Sequence, residues 1–301
     1  KKLTMINIYD FICSKASYFD QLKFGDKGDI FIDYLCPIQE KKARAWSHKN
    51  CLMYVVQGVK GYGSLNQYHQ TQKHQLLFIR KGGIILHQYF QEPYRALIFM
   101  FDDAVIKEFI SEYPTLVQSA SLKGIDYSNQ QPITVLNSNS FVKSIFISSL
   151  DYLKNPTTES TISLEIKFKE LFINILRDKH SNMFATYLSW LCHTSEATFI
   201  KLMRENCHYN FTTKELAKIA CMSLSTFKRT FIRILGVTPG KWLHDQRITT
   251  AIALLCNTDN SISEIAFDLG YNDTAAFSKS FKDTTKMNPT DYRKNSISDP
   301  K

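Results

Sequence analysis

The feature that most constrains this chain is an internal repeat, offset by about 50 residues, near its C-terminal end. The first copy runs from Glu215 to Phe231 and the second from Glu264 to Phe281. Each begins with Glu, an aliphatic residue and Ala (Glu215-Leu216-Ala217 and Glu264-Ile265-Ala266). A short polar turn follows, and then Phe-x-x-x-Phe (Phe227/Phe231 and Phe277/Phe281). Thr212-x-x-Glu215 and Ser261-x-x-Glu264 read as capping boxes, in which side chain and backbone satisfy two orphan donors reciprocally. They fix the start of a first helix in each copy. Ala217 and Ala266 are small enough for two helices to cross closely. Ser223 and Asn272-Asp273 supply caps for a second helix. Phenylalanines at i and i+4 face one way, so Lys228-Arg229 and Ser278-Lys279 between them face out. A short helix, a tight turn and a second helix with a polar outer face make a helix-turn-helix.

Between the copies, Trp242 to Leu255 reads as one long helix, with Trp242, Leu243, Ile248, Ile252 and Leu255 apolar and Thr238-Pro239 as its start signal. A rigid connector holding two helices about 34 Å apart would let them enter successive major grooves of duplex DNA.

The stretch from Phe211 to Lys294 resembles the DNA-binding domain of the AraC/XylS regulators. The resemblance rests on Leu216-Ala217, Phe231, Gly236-Val237-Thr238-Pro239, Arg247-Ile248, Ala253-Leu254-Leu255 and Ile262-Ser263-Glu264-Ile265-Ala266. It continues through Gly270-Tyr271, Phe277-Ser278-Lys279-Ser280-Phe281-Lys282 and Pro289-Thr290-Asp291-Tyr292-Arg293. One position departs: Lys286 stands where the family has Gly after the second recognition helix, whereas Gly236 is kept in the first copy. A Lys in a left-handed cap costs about 1 kcal/mol, or the turn differs. In the other half, Leu76-Leu77-Phe78-Ile79-Arg80-Lys81-Gly82 resembles the strand-and-turn segment of the family's cupin-like regulatory domain, nearest to the subgroup that includes the type III secretion activators.

The resemblance implies a sequence-specific transcription regulator, an activator that contacts RNA polymerase. Ser225, Lys228 and Arg229 hold base-facing positions in the first recognition helix, and Thr274, Ala275, Ser278 and Lys279 hold them in the second. Arg229 is the strongest reader, since a bidentate Arg–guanine pair discriminates by about 1–3 kcal/mol. Ala275 offers only apolar contact. Thr213, Lys218, Thr226 and Lys282, with helix N-termini, are the expected phosphate contacts, which position without specifying sequence. Trp242 and Arg247 are expected to hold the connector helix.

Before the repeat, residues 30–101 read as β, with apolar runs at Leu52–Val56, Leu76–Ile79, Ile84–Leu86 and Ala96–Phe101 separated by Gly-rich turns, a barrel or sandwich pattern. From Asp103 the period becomes helical, with Val105, Ile106, Phe109 and Ile110 on one face. Residues 114–138 read as a polar loop. Two amphipathic helices follow, lined by Phe141, Ile145, Leu150 and Leu153, and by Leu164, Phe168, Leu171, Phe172 and Ile175. Their stripes fit an intrachain core or a homodimer face spanning residues 139–177.

The chain is therefore expected to be α+β. A β-barrel, cupin-like regulatory and dimerisation domain with flanking helices spans 1–180. An all-α DNA-binding domain spans 181–301, its two helix-turn-helix units at about 212–235 and 261–285 joined by a long helix. With 301 residues, two domains are the natural division. The formal charge of +9 is compatible with a polyanionic partner. Seven scattered cysteines without a Cys-x-x-Cys pair argue against a disulfide framework or zinc site and for the reducing cytoplasm. No apolar run is long enough to span a membrane, and the first residues lack a signal-peptide pattern. A metal enzyme on the barrel would draw on His69, His74 and His87, but no His-x-His occurs. No nucleophile elbow, P-loop or dinucleotide fingerprint is present either. Neither a cofactor nor catalysis is expected. A protein-binding adaptor is the other alternative, against which the basic outer faces argue. The effector, small molecule or protein, is left open.

Overall fold

The computed structural model describes residues 5–15, 19–25, 27–63, 68–118, 132–178, 182–192 and 196–298. The chain divides into two compact units, with the boundary between Thr198 and Phe199.

The first unit is built on two sheets. Its strands are β1 (Ile6–Asn7), β2 (Asp20–Phe24), β3 (Asp29–Leu35), β4 (Lys42–Ser47), β5 (Asn50–Gln57) and β6 (Lys60–Gly63). They continue with β7 (Tyr68–Gln70), β8 (Leu76–Ile79), β9 (Gly82–Gln88), β10 (Arg95–Phe101) and β11 (Ile133–Leu136). One sheet runs β1-β4-β9-β6-β7 and the other β11-β8-β5-β10-β3-β2, so the expected β-rich half is a pair of sheets rather than a closed barrel. Successive strand residues point to opposite faces, and the central strands use both. Ile30, Ile32, Met53, Val55, Leu77, Ile98 and Met100 pack against Ala43, Ala45, Tyr62, Ile84 and Leu86 of the facing sheet. Their neighbours Phe31, Leu52, Tyr54, Leu76, Phe78, Leu97, Phe99 and Phe101 form the opposite face and a second core with helices. Burial on both faces explains why Ala96–Phe101 is apolar at every position, where a half-exposed strand would alternate.

The helices of this unit are α1 (Ile8–Ser14), α2 (Asp103–Glu112), α3 (Thr115–Gln118), α4 (Ser140–Lys154), α5 (Thr158–Leu176) and α6 (Asn182–Cys192). Part of the stretch expected as a polar loop is thus helix α3 and strand β11, which pairs with β8; residues 119–131 lie outside the described residues. Helix α5 buries the predicted Leu164, Phe168, Leu171, Phe172 and Ile175. Of the face expected for helix α4, Ile145 is buried and Leu150 and Leu153 pack against the core, but Phe141 does not. The helix buries Val142, Ile145, Phe146 and Ser149, while Phe141 is 63% exposed. The cause is tertiary: Phe146 stacks on Tyr54 and lies against Phe99 of the sheet. A break at 180/181 leaves the helix around 183–192 open to either side; Phe184, Tyr187, Leu188 and Leu191 place it in the first unit's core, and residues 179–181 lie outside the described residues. A buried ionic cluster ties strand ends to α2. Lys49 Nζ lies 3.1 Å from Asp29 and 2.6 Å from Asp102, and Lys81 Nζ lies 2.6 Å from Asp103.

The second unit is helical. Helix α7 (Glu196–Asn206) spans the boundary and leads into α8 (Thr213–Ile219), α9 (Leu224–Leu235), α10 (Pro239–Asn257), α11 (Ile262–Asp268), α12 (Thr274–Thr285) and α13 (Pro289–Ser298). The long helix α10 is shared by two small cores. Phe231 meets Trp242 near its start, and Ile248, Ala251 and Leu255 pack on Ile265, Ala266, Phe277 and Phe281 near its end.

Candidate nucleic-acid interface

The repeat in the sequence is a repeat of hydrogen bonds. Both capping boxes close: Thr212 N–H donates to Glu215 (2.7 Å) and Glu215 N–H to Thr212 Oγ1 (3.2 Å). Ser261 N–H donates to Glu264 (2.7 Å) and Glu264 N–H to Ser261 Oγ (3.1 Å). The Ser261 backbone and hydroxyl bonds hold the Glu264 carboxyl below its ordinary range. In each turn, a backbone N–H reaches back to the small residue of the first helix: Met222 to Ala217 O (2.9 Å) and Tyr271 to Ala266 O (3.0 Å). The residue before it is left-handed in both copies, Cys221 at φ 55° and Gly270 at φ 83°. The second turn is one residue longer, since α9 is capped by Ser223 and α12 by Asp273, with Asn272 outside the cap. The helices also end alike. Gly236 (φ 72°) donates to Ile232 O, and Lys286 (φ 65°) donates to Lys282 O. The Lys at 286 therefore leaves the turn unchanged and occupies the left-handed position itself.

Inside each unit the phenylalanine pair is buried. Phe227 and Phe231 pack with Phe199, and Phe277 and Phe281 with Tyr271 and Tyr292. That burial fixes which faces of α9 and α12 remain outside. Ser225, Lys228 and Arg229 are exposed on α9; Ala275 and Lys279 are exposed on α12, with Thr274 and Ser278 half-buried. Thr274 Oγ1 lies 3.1 Å from Ser263 Oγ and so also ties α12 to α11. Of the expected phosphate contacts, Lys218 and Lys282 are exposed, while Thr213 and Thr226 are half-buried. The Thr226 hydroxyl takes part in the α9 cap, 2.9 Å from Ser223 Oγ.

Thr213 and Lys228 line one surface concavity with Ile232, Thr238, Pro239 and Gly240. The start of α10 is thus beside the first recognition helix, a placement that Thr238-Pro239 as a helix start signal does not reveal. Thr238 caps this helix through Lys241 N–H, and a helix N-terminus favours an anion such as phosphate. Trp242 meets Phe231 edge-on at 5.6 Å, the anchoring role expected of it; Arg247 is half-buried. Two further anchors went unnoticed in the sequence. His244 joins α10 to Ser280 and Thr284 of α12, and Arg293 donates to the carbonyls of Leu255 and Asn260.

In the first unit the histidines considered for metal have other partners. His69 contacts Gln75, His74 contacts the Tyr54 hydroxyl at 2.9 Å, and His87 lies edge-on to Tyr68. Among the described residues no group of three His, Cys, Asp or Glu is placed to hold a metal.

Comparison with known proteins assigns both units. Residues 50–187 match the ExsA N-terminal regulatory domain, and residues 216–295 match a helix-turn-helix domain. The thermoregulatory protein LcrF of Yersinia pestis is 24% identical over 242 residues, 80% of this chain and 88% of LcrF. The virulence regulon transcriptional activator VirF of Yersinia enterocolitica is 23% identical over the same shares of each chain. The arabinose operon regulatory protein of Escherichia coli is 32% identical over 99 residues, 30% of this chain and 34% of that protein. These relatives are named as regulatory proteins, and VirF as a transcriptional activator.

Proposed function

The chain belongs to the AraC family of helix-turn-helix transcription regulators, and from that premise we propose that it activates transcription by reading two successive major grooves with α9 and α12. The observation that carries this reading is the duplicated outer face. A left-handed turn residue, a side-chain cap and a buried phenylalanine pair recur in both copies, and each time they leave a polar, lysine-bearing helix face in solvent. On α9 the base contacts fall to Ser225, Lys228 and Arg229. On α12 they fall to Ala275 and Lys279, with Thr274 and Ser278 at the edge. Lys218, Lys282, Thr213 and Thr226 hold the phosphate backbone, joined by the start of α10. Activation implies contact with RNA polymerase, and VirF is named as an activator. No described helix is long and apolar enough to cross a membrane, in keeping with action in the cytoplasm where the DNA is.

The regulatory unit acts, in this reading, by biasing how two copies occupy adjacent half-sites. Helix α5 supports a homodimer: opposite its core stripe it exposes Ile162, Ile166 and Ile173, in line along the helix. A signal received by the sheets then changes DNA occupancy through dimerisation.

Selection from a random-duplex pool tests the reading. The expected product is a motif of two boxes about one helical turn apart. Arg229→Ala should relax one box and Lys279→Ala the other. Recovery of no motif, with binding that simply disappears as salt rises, would leave only nonspecific phosphate attraction and end the proposal.

A further inference from the structure

The regulatory unit buries a lysine that has no acidic partner among the described residues. Lys60, the first residue of β6, is 1% exposed. Its Nζ lies 5.1–5.9 Å from the ring centroids of Tyr94, Tyr34 and Tyr62. Its hydrogen bond goes to Cys36 Sγ at 3.1 Å, and among the described residues no carboxylate pairs with it. An ammonium withdrawn from water either loses its proton or acquires an anion. Aromatic faces compensate it in part; the sulfur can supply the remainder as a thiolate.

The surroundings of Cys36 favour that form. The Tyr34 hydroxyl donates to Sγ at 3.4 Å, and the Ile38 backbone N–H bonds to it as well. Gln88 contributes an independent sign. Its Oε1 lies 3.6 Å from Sγ, whereas its Nε2 is buried with no hydrogen-bond partner. A thiol can donate to Oε1, but a thiolate only accepts. Half a turn of the Gln88 amide then places Nε2 on the sulfur as a donor. Burial raises the Cys36 thiol, yet Lys60, Tyr34 and Ile38 together outweigh it and hold the thiol below its ordinary value. Burial likewise lowers Lys60, and Cys36 restores it only in part. Cys51 and Cys207 differ: burial pushes their thiols up to about 12 and about 11. Cys36 itself is half-buried, whereas Cys207 is buried.

We propose that Cys36 is a hydroperoxide-reactive thiolate, with Lys60 as its buried counter-ion. The sulfur attacks one oxygen of hydrogen peroxide; an S–O bond forms and the O–O bond breaks. The leaving hydroxide takes a proton from the Lys60 ammonium and departs as water. Cys36 is oxidised by two electrons to the sulfenic acid and the peroxide is reduced. The ion pair becomes a neutral pair. Lys60 also lines the apolar cavity of about 50 Å³ between the sheets, together with Met53, Tyr62, Ile84 and Leu86, so the change is delivered to the interior of the regulatory unit. Chemistry at Cys36 needs no DNA and is read out without it.

The test treats the full chain with graded hydrogen peroxide, traps sulfenic acid with dimedone and quantifies each cysteine peptide by mass spectrometry. Cys36 should label at peroxide doses at least ~10-fold below those needed for the exposed Cys221 and Cys256, as a thiolate beside an ammonium should. Lys60→Gln should slow labelling of Cys36 by ~10-fold or more, on the same ground. Tyr34→Phe, which keeps the ring and removes one donor to sulfur, should slow it several-fold. Thermal melts identify any variant that fails to fold, and Tyr34→Phe decides if Lys60→Gln is lost that way. Equal labelling of Cys36 and Cys256 in the unaltered protein overturns the proposal. So does an unchanged Cys36 rate in a folded variant.

Discussion

Left-handed residues set the geometry of both helix-turn-helix units, and their surroundings make them unequal. At Gly270 a Cβ would stand 2.5 Å from Cγ of Asn210, whose Nδ2 donates to Asp268 O. Gly270→Ala therefore combines backbone strain with displacement of a tethering side chain, and should cost about 2 kcal/mol. At Gly236 a Cβ meets nothing within 4 Å, so Gly236→Ala should cost only the left-handed penalty, about 1 kcal/mol. Lys286→Gly should return about 1 kcal/mol, since Lys286 already pays that penalty at φ 65°. Chemical denaturation followed by circular dichroism checks the ordering, and equal losses at 236 and 270 would remove Asn210 from the account. Lys286 was legible as a departure because the family that the repeat resembles has Gly there, as the first copy does at Gly236. Cys221 was not: a cysteine is no turn signal, and only alignment with Gly270 reveals that it must be left-handed. The Asn210 contact could not be read at all, because it joins residues far apart in the chain.

Elements were legible where one face decides their burial and obscure where two faces compete. The stripe of α5 repeats without interruption, so its core face follows from spacing alone. Helix α4 carries Phe141 and Phe146 on different faces, and the choice is made by Tyr54 and Phe99 on the sheet. Strand β4 is faint for another reason: Ala43 and Ala45 face the core while Lys42 and Arg44 alternate with them, and small residues give little hydrophobic signal. The α4 assignment predicts that Phe146→Ala costs about 3–5 kcal/mol, the usual cost of deleting a buried ring, while Phe141→Ser changes stability by less than about 0.5 kcal/mol. Comparable losses in a denaturant titration would mean that α4 lies with Phe141 inward. On α5, Ile166→Glu should leave the fold intact, since Ile166 is 62% exposed, and should shift the protein from dimer to monomer in sedimentation. A dimer that survives Ile166→Glu places the interface elsewhere.

At the scale of the whole molecule, two reading units are mounted on one helix. Helix α10 has 19 residues, so it is about 28 Å long, comparable with the ~34 Å repeat of the duplex. The mounting separates two kinds of contact that a single binding constant would merge. Lys218 lies on α8 of the first helix-turn-helix and Lys282 on α12 of the second, both exposed. If each neutralises one phosphate, replacing either by Gln should lower the slope of log K against log salt by ~0.9. The loss should be nearly the same on every sequence, and the double variant should lose ~1.8, since the two lysines sit on different helices, α8 and α12. Arg229→Ala should behave differently. It should cost about 1–3 kcal/mol on the preferred site and far less on unrelated duplexes, narrowing the gap between specific and nonspecific binding. Titrations of both duplexes over a range of salt separate the cases. A slope unchanged in Lys218→Gln would remove that lysine from the phosphate contacts. An Arg229→Ala loss of equal size on both duplexes would reassign Arg229 from the bases to the backbone, and leave α9 reading through Ser225 and Lys228 alone.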